Sequence, residues 1–323
     1  MNNIKDLQLA IEKANNIIIF SHVNPDGDTL GSMIGFSKLI EKNFNKKSTN
    51  VIIGKTPDTY SFMPSIHECI SNESVDKNIQ YDLAIAIDVA AKDRMVDMQD
   101  VYFKSKVTAN IDHHITNNNY GQINIVEGLA SSAGEVVYSI AKDLDWNLTK
   151  EIAELIYIAI LTDTGGFRFE NTSPKVFNYA AELVTYGINP TEIYRKCYES
   201  KPKAMALLNA YAIQNAIFKE NDKIAYTIIT KEDMKSFNAK SDYTEGISEA
   251  LRQINTTEVS MLLKESPNQS TKVSLRSKRI DVSKIAEAFG GGGHHFAAGC
   301  TIQKPPAIAI EKLLELVKKS LNE

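Results

Sequence analysis

Three short apolar runs, at residues 16–20, 83–87 and 107–111, each lead directly into a segment that contains aspartate. Runs of this length bounded by polar residues read as strands. Helical spacing fills much of the remaining first half. After Ser132, the residues Val136, Val137, Ile140, Ala141 and Leu144 recur at helical intervals, with Ser132 and Glu135 forming a capping box, and Ile152, Leu155, Ile156, Ala159 and Ile160 repeat the pattern. Strands alternating with helices predict an α/β fold with a doubly wound, mainly parallel sheet, whose ligands gather outside the carboxyl ends of the strands. That rule carries the polar residues after each strand to one rim.

The length, 323 residues, favours two domains. We read residues 1–188 as the sheet domain and 189–219, punctuated by Pro190 and Pro202, as a helical linker. Residues 220–323 read as a smaller α/β domain, with strands at 223–230, 258–264 and 272–276, a helix at 281–289, a run of four glycines from Gly290 to Gly293, and a closing helix from about residue 307 that aligns Ile310, Leu313, Leu314, Val317 and Leu321. No apolar stretch approaches the roughly 18 residues that span a bilayer. A net charge of −4 argues against a protein that grips long duplex DNA through a broad basic surface, while leaving room for short anionic substrates. Three isolated cysteines, Cys69, Cys197 and Cys300, supply neither a disulfide framework nor a zinc spacing, and fit a soluble protein of a reducing cytoplasm.

Of six histidines, five cluster with one another or with aspartates: His22, His113, His114, His294 and His295. Asp26-Gly27-Asp28 follows the first strand on a Pro/Gly turn. Taken alone it reads equally as a turn that caps the next helix or as a pair of carboxylates that repel unless a cation neutralises them. Asp88 and Asp112-His113-His114 end the other two strands, and Asp163 closes a helix, where it faces the negative end of the dipole. Carboxylates and imidazoles without thiolate suit hard or borderline divalent ions, Mn²⁺ first, with Mg²⁺ or Co²⁺ as competitors. The donors are too many for one ion and enough for two.

The segments His22-Val23-Asn24-Pro25-Asp26-Gly27-Asp28, Asp88, Asp112-His113-His114 and Thr162-Asp163-Thr164-Gly165 resemble the motifs of the DHH phosphoesterase family, and Gly290-Gly291-Gly292-Gly293-His294-His295-Phe296-Ala297-Ala298-Gly299 resembles the signature of the DHH-associated domain. Together they span most of the chain in the family's order. Within the family the chain is most similar to the branch of oligoribonucleases that also remove the 3′-phosphate of pAp. The resemblance implies one metal held by His22 and Asp26, a second by Asp28, His113 and Asp163, and Asp88 bridging both. It implies that His114 contacts the scissile phosphate and that Asp112 orients an imidazole. It further implies that Arg276, Ser277, the glycine loop through Gly291, Gly292 and Gly293, and His294 bind the nucleotide. His295 departs from many relatives, which leaves its role open.

The expected substrates are therefore short single-stranded RNA of about two to five nucleotides, pAp and dinucleotides, each cut between the 3′-oxygen and phosphorus. Two alternatives stay open: a phosphodiesterase for linear or cyclic dinucleotides such as pApA or c-di-AMP, and an RNA-binding protein without catalysis. A homodimer is compatible with the sequence, which does not demand one. By themselves the glycine run also reads as a tight turn, and residues 276–279 as a solvated face. His67 reads as a surface or structural residue, Arg94, six residues past Asp88, as a surface arginine that could also reach the rim, and Trp146 and Tyr179, Tyr186, Tyr194 and Tyr198 as packing or linker positions.

Overall fold

In a computed structural model of the chain, which describes residues 2–322, two units meet in sequence between Ser200 and Lys201. The first is built on six parallel strands: β1 (Ile17–Phe20), β2 (Ser48–Ile52), β3 (Ile70–Ser71), β4 (Leu83–Ile87), β5 (Val107–Asp112) and β6 (Ile123–Val126). Their spatial order is β3-β2-β1-β4-β5-β6. The chain starts in the middle at β1, runs outward through β2 and β3, then returns to place β4 on the other side of β1. The order thus reverses between β1 and β4, which opens a crevice at their carboxyl ends.

Both faces of this sheet are covered, so its central strands carry apolar residues without alternation. Ile17, Ile19, Leu83, Ile85 and Ile87 enter the core shared with α1 (Asn2–Lys13), α2 (Gly27–Phe44), α4 (Ala133–Asp143), α5 (Lys150–Asp163), α6 (Pro174–Val184) and α7 (Pro190–Tyr198). Ile18, Phe20, Ala84 and Ala86 enter the opposite core, against Met95, Met98 and the short helix α3 (Gln99–Lys104). The strands β2, β3 and β6 were not anticipated. β2 opens with Ser48, Thr49 and Asn50, and the buried Asn50 amide donates to Ser37 Oγ at 2.9 Å, so hydrogen bonding replaces the apolar signal.

Helices α2, α4 and α5 pack unusually closely. A Cβ on Gly31 would lie 2.5 Å from the Leu155 carbonyl oxygen, and one on Gly134 would lie 2.4 Å from Ala159 Cβ. Only glycine permits these approaches, which draw the first turns of α2 and α4 toward the end of α5.

The stretch 189–219 is divided between the units. α7 buries Ile193 in the first core, whereas α8 (Lys203–Gln214) buries Leu208 and Ala212 in the second unit, and β7 (Ile217–Lys219) joins the second sheet. That sheet adds β8 (Ile224–Ile229), β9 (Val259–Glu265), β10 (Thr271–Ser277), β11 (Gly292–His294) and β12 (Ala297–Ile302), in the order β11-β12-β10-β9-β8-β7. It is mixed, since β8 and β9 run parallel and the other pairs antiparallel. α8 and α10 (Ile247–Arg252) pack through Ala225, Ile229 and Leu262. α11 (Val282–Glu287) and α12 (Pro306–Asn322) pack through Tyr226, Met261, Leu263 and Leu275, with Ile310, Leu313 and Val317 of α12 turned inward.

Candidate metal centre and active site

The crevice between β1 and β4 is lined by side chains that leave the strand ends. After β1, His22 is 4 % exposed; its Nδ1 lies 2.9 Å from the Val23 carbonyl, and its Nε2 faces Asp88 Oδ2 at 3.5 Å. Asp26 caps α2 by accepting from the Thr29 N–H at 3.0 Å, so the capping role coexists with a place at the rim. Asp28, 1 % exposed in the first turn of α2, reaches instead to α4: its two oxygens accept the N–H groups of Ala133 at 2.7 Å and Gly134 at 2.9 Å.

Asp88 follows β4 with a φ of 60°, a conformation uncommon for a residue with a Cβ, and is 3 % exposed. Its Oδ2 accepts from Thr29 Oγ1 at 2.5 Å, but among the described residues nothing donates a hydrogen bond to its buried Oδ1. His113 Nε2 stands 3.5 Å and His114 Nδ1 3.6 Å from that oxygen. A buried carboxylate oxygen left this way costs about 1–3 kcal/mol, which a cation would offset. From β5, the fully buried Asp112 accepts from the His113 N–H at 2.9 Å and from His114 Nδ1 at 2.8 Å. The Nε2 of His113 is shared among three carboxylates, at 3.7 Å from Asp28, 3.5 Å from Asp88 and 3.8 Å from Asp163. Its Nδ1 points to the Ala130 carbonyl at 3.4 Å, which favours the tautomer that leaves Nε2 for a metal.

Potential ligand atoms fall into three overlapping groups, within 4.8 Å of one another in each: His22, Asp26 and Asp88; Asp28, His113 and Asp163; and Asp88, Asp112, His113 and His114. The donor set and the bare Asp88 oxygen fit divalent cations.

Without a cation, protons take their place. Burial, with Asp88 and Asp163 nearby, pushes the Asp28 carboxyl well up. Burial, opposed by His113 and reinforced by Asp88 and Asp26, pushes Asp163 up to about 7. Burial also acts on Asp88, but the imidazoles of His113 and His22 hold it well below the usual carboxylate range. His113 is pushed up to about 10: burial opposes its charge, yet the surrounding Asp88, Asp28 and Asp163 outweigh that. His114 is raised despite burial by its bond to Asp112.

Two participants were not anticipated: Thr29 holds Asp88, and Asn117 donates to Asp112 Oδ2 at 2.5 Å. Arg94, which reads more readily as a surface arginine than as one that reaches the rim, brings Nη2 within 2.9 Å of His22 Nδ1. Trp146 packs against Phe36 and Phe44, and His67 is exposed.

In the second unit Arg276, Ala297 and His294 are aligned across β10, β12 and β11. Arg276 donates from Nε to Glu249 at 2.6 Å and from Nη1 to the Leu275 carbonyl at 2.8 Å. Ser277 is fully buried, and its hydroxyl donates to the Ile280 carbonyl. The glycine run begins as a turn: the amides of Gly290 and Gly291 donate to the Glu287 and Ala286 carbonyls at 2.9 and 3.0 Å, closing the end of α11. A Cβ on Gly291 would lie 2.2 Å from the Gly299 carbonyl oxygen, whereas Gly292 faces open space. His295 pairs with Asp281 at 3.3 Å.

Comparison with known proteins gives a consistent picture. Residues 16–160 match the N-terminal domain of the DHH family, and residues 221–323 match the DHHA1 domain. The probable bifunctional oligoribonuclease and PAP phosphatase NrnA of Streptococcus mutans is 31% identical over 299 residues, covering 93% of each chain. The bifunctional oligoribonuclease and PAP phosphatase NrnA of Bacillus subtilis is 31% identical over 301 residues, 92% of each chain. The crystal structure of an exopolyphosphatase-related protein from Bacteroides fragilis superposes with a TM-score of 0.94 at 27% identity, covering 100% of this chain and 98% of that one.

Proposed function

Since this chain belongs to the DHH family of phosphoesterases, we propose that it is a metal-dependent hydrolase that converts short 5′-phosphorylated oligoribonucleotides to 5′-mononucleotides and removes the 3′-phosphate of pAp. The observation that carries this reading is the buried Asp88 oxygen without a donor, set among carboxylates and imidazoles. His22, Asp26 and Asp88 would hold one divalent ion, and Asp28, His113 and Asp163, with Asp88, a second. Oxygen and imidazole donors without thiolate favour Mn²⁺. Such ions would lower the pKa of a water and shield the anionic phosphate from it.

The protein's own groups then have distinct tasks. Asp112 holds the Nδ1 proton of His114, so that Nε2 is the atom turned to a substrate, and the same bond raises the His114 pKa in the metal-free protein. Charged His114 can bind a phosphate oxygen or donate a proton to the departing 3′-oxygen. Arg276 and His294 would bind the 5′-phosphate that short RNA and pAp share, Arg276 supplying the planar charge suited to it. Ser277 and Gly291 to Gly293 would support that site, Ser277 and Gly291 through the backbone they fix. Water adds to phosphorus, the bond from phosphorus to the 3′-oxygen breaks, and a 5′-nucleotide with a free 3′-hydroxyl leaves. The other product is inorganic phosphate from pAp and the shortened, 5′-phosphorylated chain from RNA.

The reading is tested by incubating pAp, pApA and a five-nucleotide RNA with enzyme and Mn²⁺ and resolving products by charge. Release of 5′-mononucleotide from all three is expected. Absence of hydrolysis, or hydrolysis unaffected by chelator, would overturn it. Preference for pApA over the other two would move the assignment to dinucleotide turnover.

A further inference from the structure

We infer that Asn117 is a positioning residue for the reaction: it fixes the carboxylate of Asp112 and, through it, the ring of His114. The inference rests on the role assigned to His114 above.

The local geometry is over-determined. The Asn117 N–H donates to the His114 carbonyl at 3.1 Å, closing a tight turn that returns its side chain to the strand end. Its Oδ1 accepts from the Asn119 N–H at 2.8 Å, which sets the amide so that the nitrogen faces inward. That nitrogen has two protons and two close acceptors, Asp112 Oδ2 at 2.5 Å and Asn110 Oδ1 at 2.7 Å. Asn110, fully buried, is anchored in turn: its amide donates to the Ala86 carbonyl at 3.2 Å and to Tyr120 Oη at 3.1 Å, and Tyr120 donates to the Val89 carbonyl at 2.8 Å. The two carbonyls flank Asp88 in sequence. A chain of hydrogen bonds therefore runs from the end of β4 through Asn110 and Asn117 to Asp112 and His114.

The consequence for His114 follows from its neighbours. Its Nδ1 lies 2.8 Å from Asp112 Oδ1 but only 3.6 Å from the unsatisfied Asp88 Oδ1. Asp112 has no solvent contact to replace a lost donor. With Asn117 removed, only the His113 N–H and the His114 ring itself hold the Asp112 carboxylate, so its last torsion, and with it the acceptor of the His114 Nδ1 proton, is no longer fixed. The ring then tilts away from the orientation that aims Nε2 at a substrate. The chain reaches the ligand residue His113 only at its backbone N–H and does not touch the ligand atoms of His22, Asp26, Asp28 or Asp163, so the loss should fall mainly on turnover. Removing a partner that orients a catalytic imidazole typically lowers activity by about 10- to 100-fold.

The test uses Asn117→Leu, which keeps the side-chain shape and removes the donor, beside His114→Gln, both in the full chain. Expected for Asn117→Leu is a kcat on pAp lowered about 10- to 100-fold, with KM and the calorimetric Kd for Mn²⁺ within about threefold of the parent. In the Mg²⁺-loaded parent the His114 Nδ1 proton should give a low-field NMR resonance, identified by its loss in His114→Gln, and this resonance should disappear or move upfield in Asn117→Leu. Parental kcat with an unchanged resonance overturns the inference. So does a kcat loss accompanied by Mn²⁺ binding more than tenfold weaker, which would mean that the loop bearing His113 had collapsed. Full activity of His114→Gln would instead refute the role of His114 itself.

Discussion

Metal uptake should expel protons, in an amount set by the site. In the metal-free protein His113 is pushed up to about 10 by the carboxylates around it, and Asp163 up to about 7. Coordination through His113 Nε2 and an Asp163 oxygen requires both to be deprotonated. At pH 7 the first group is protonated and the second partly so, so filling this site should release more than one proton. The raised Asp28 carboxyl adds to that total. The sign follows from the direction of the shifts: both groups hold protons more tightly without metal, so affinity strengthens as pH rises. The release should be larger at pH 6 than at pH 8, and affinity should rise more than tenfold between pH 6.5 and 7.5. Calorimetric titration of Mn²⁺ in buffers of different ionisation enthalpy measures the number directly, and His113→Gln should reduce it by about one. Release of less than half a proton at pH 7, with affinity flat from pH 6.5 to 8, would refute the assignment of His113 and Asp163 as ligands.

Replacing Asp88 with Asn should abolish Mn²⁺-dependent hydrolysis while leaving the fold intact, with a metal-free Tm equal or lower because the carboxylate that faces the His22 and His113 imidazoles is lost; turnover near the parental rate would contradict a ligand shared by two ions. Arg276→Ala should raise KM about tenfold or more for substrates bearing a 5′-phosphate, consistent with loss of a charge-assisted contact; an equal effect on dephosphorylated substrates would remove Arg276 from the phosphate site. Gly31→Ala should lower stability to urea by about 1–2 kcal/mol, since the Leu155 carbonyl in its way cannot swing aside and the clash outweighs the gain in helix propensity; unchanged unfolding would show that α2 and α5 can separate without cost.

The parts of the fold that the sequence disclosed are those where one physical requirement dominates. β1 and β4 are buried on both faces and read as uninterrupted apolar runs, and β5 keeps enough of that signal around Thr108 and Asn110 to be read with them. β2 could not be read that way, because Asn50 and Ser48 are satisfied by Ser37 on a neighbouring helix. The aspartates and histidines of the centre stood out because histidine is scarce and the carboxylates sit where strands end. Their supporting residues did not. Asn117 lies in a polar stretch indistinguishable from any turn, and its function depends on a carboxylate five positions earlier that folding returns to it. Arg94 follows Asp88 by six residues, and only the path of the loop brings its guanidinium beside His22. The bonds of the Gly290 and Gly291 amides are not legible in the sequence, because amide availability depends on which carbonyls the preceding helix leaves open.

Asp28 belongs to one helix and seals the beginning of another, with an oxygen 3.7 Å from the ring nitrogen of His113. A single carboxylate is thus a mechanical joint as well as a donor. Sliding α4 along α2 by a fraction of an ångström would pull this joint out of register, so ion capture and the locking of the two helices become one event, and heat or denaturant that loosens the pair should discharge the ion before the sheet melts.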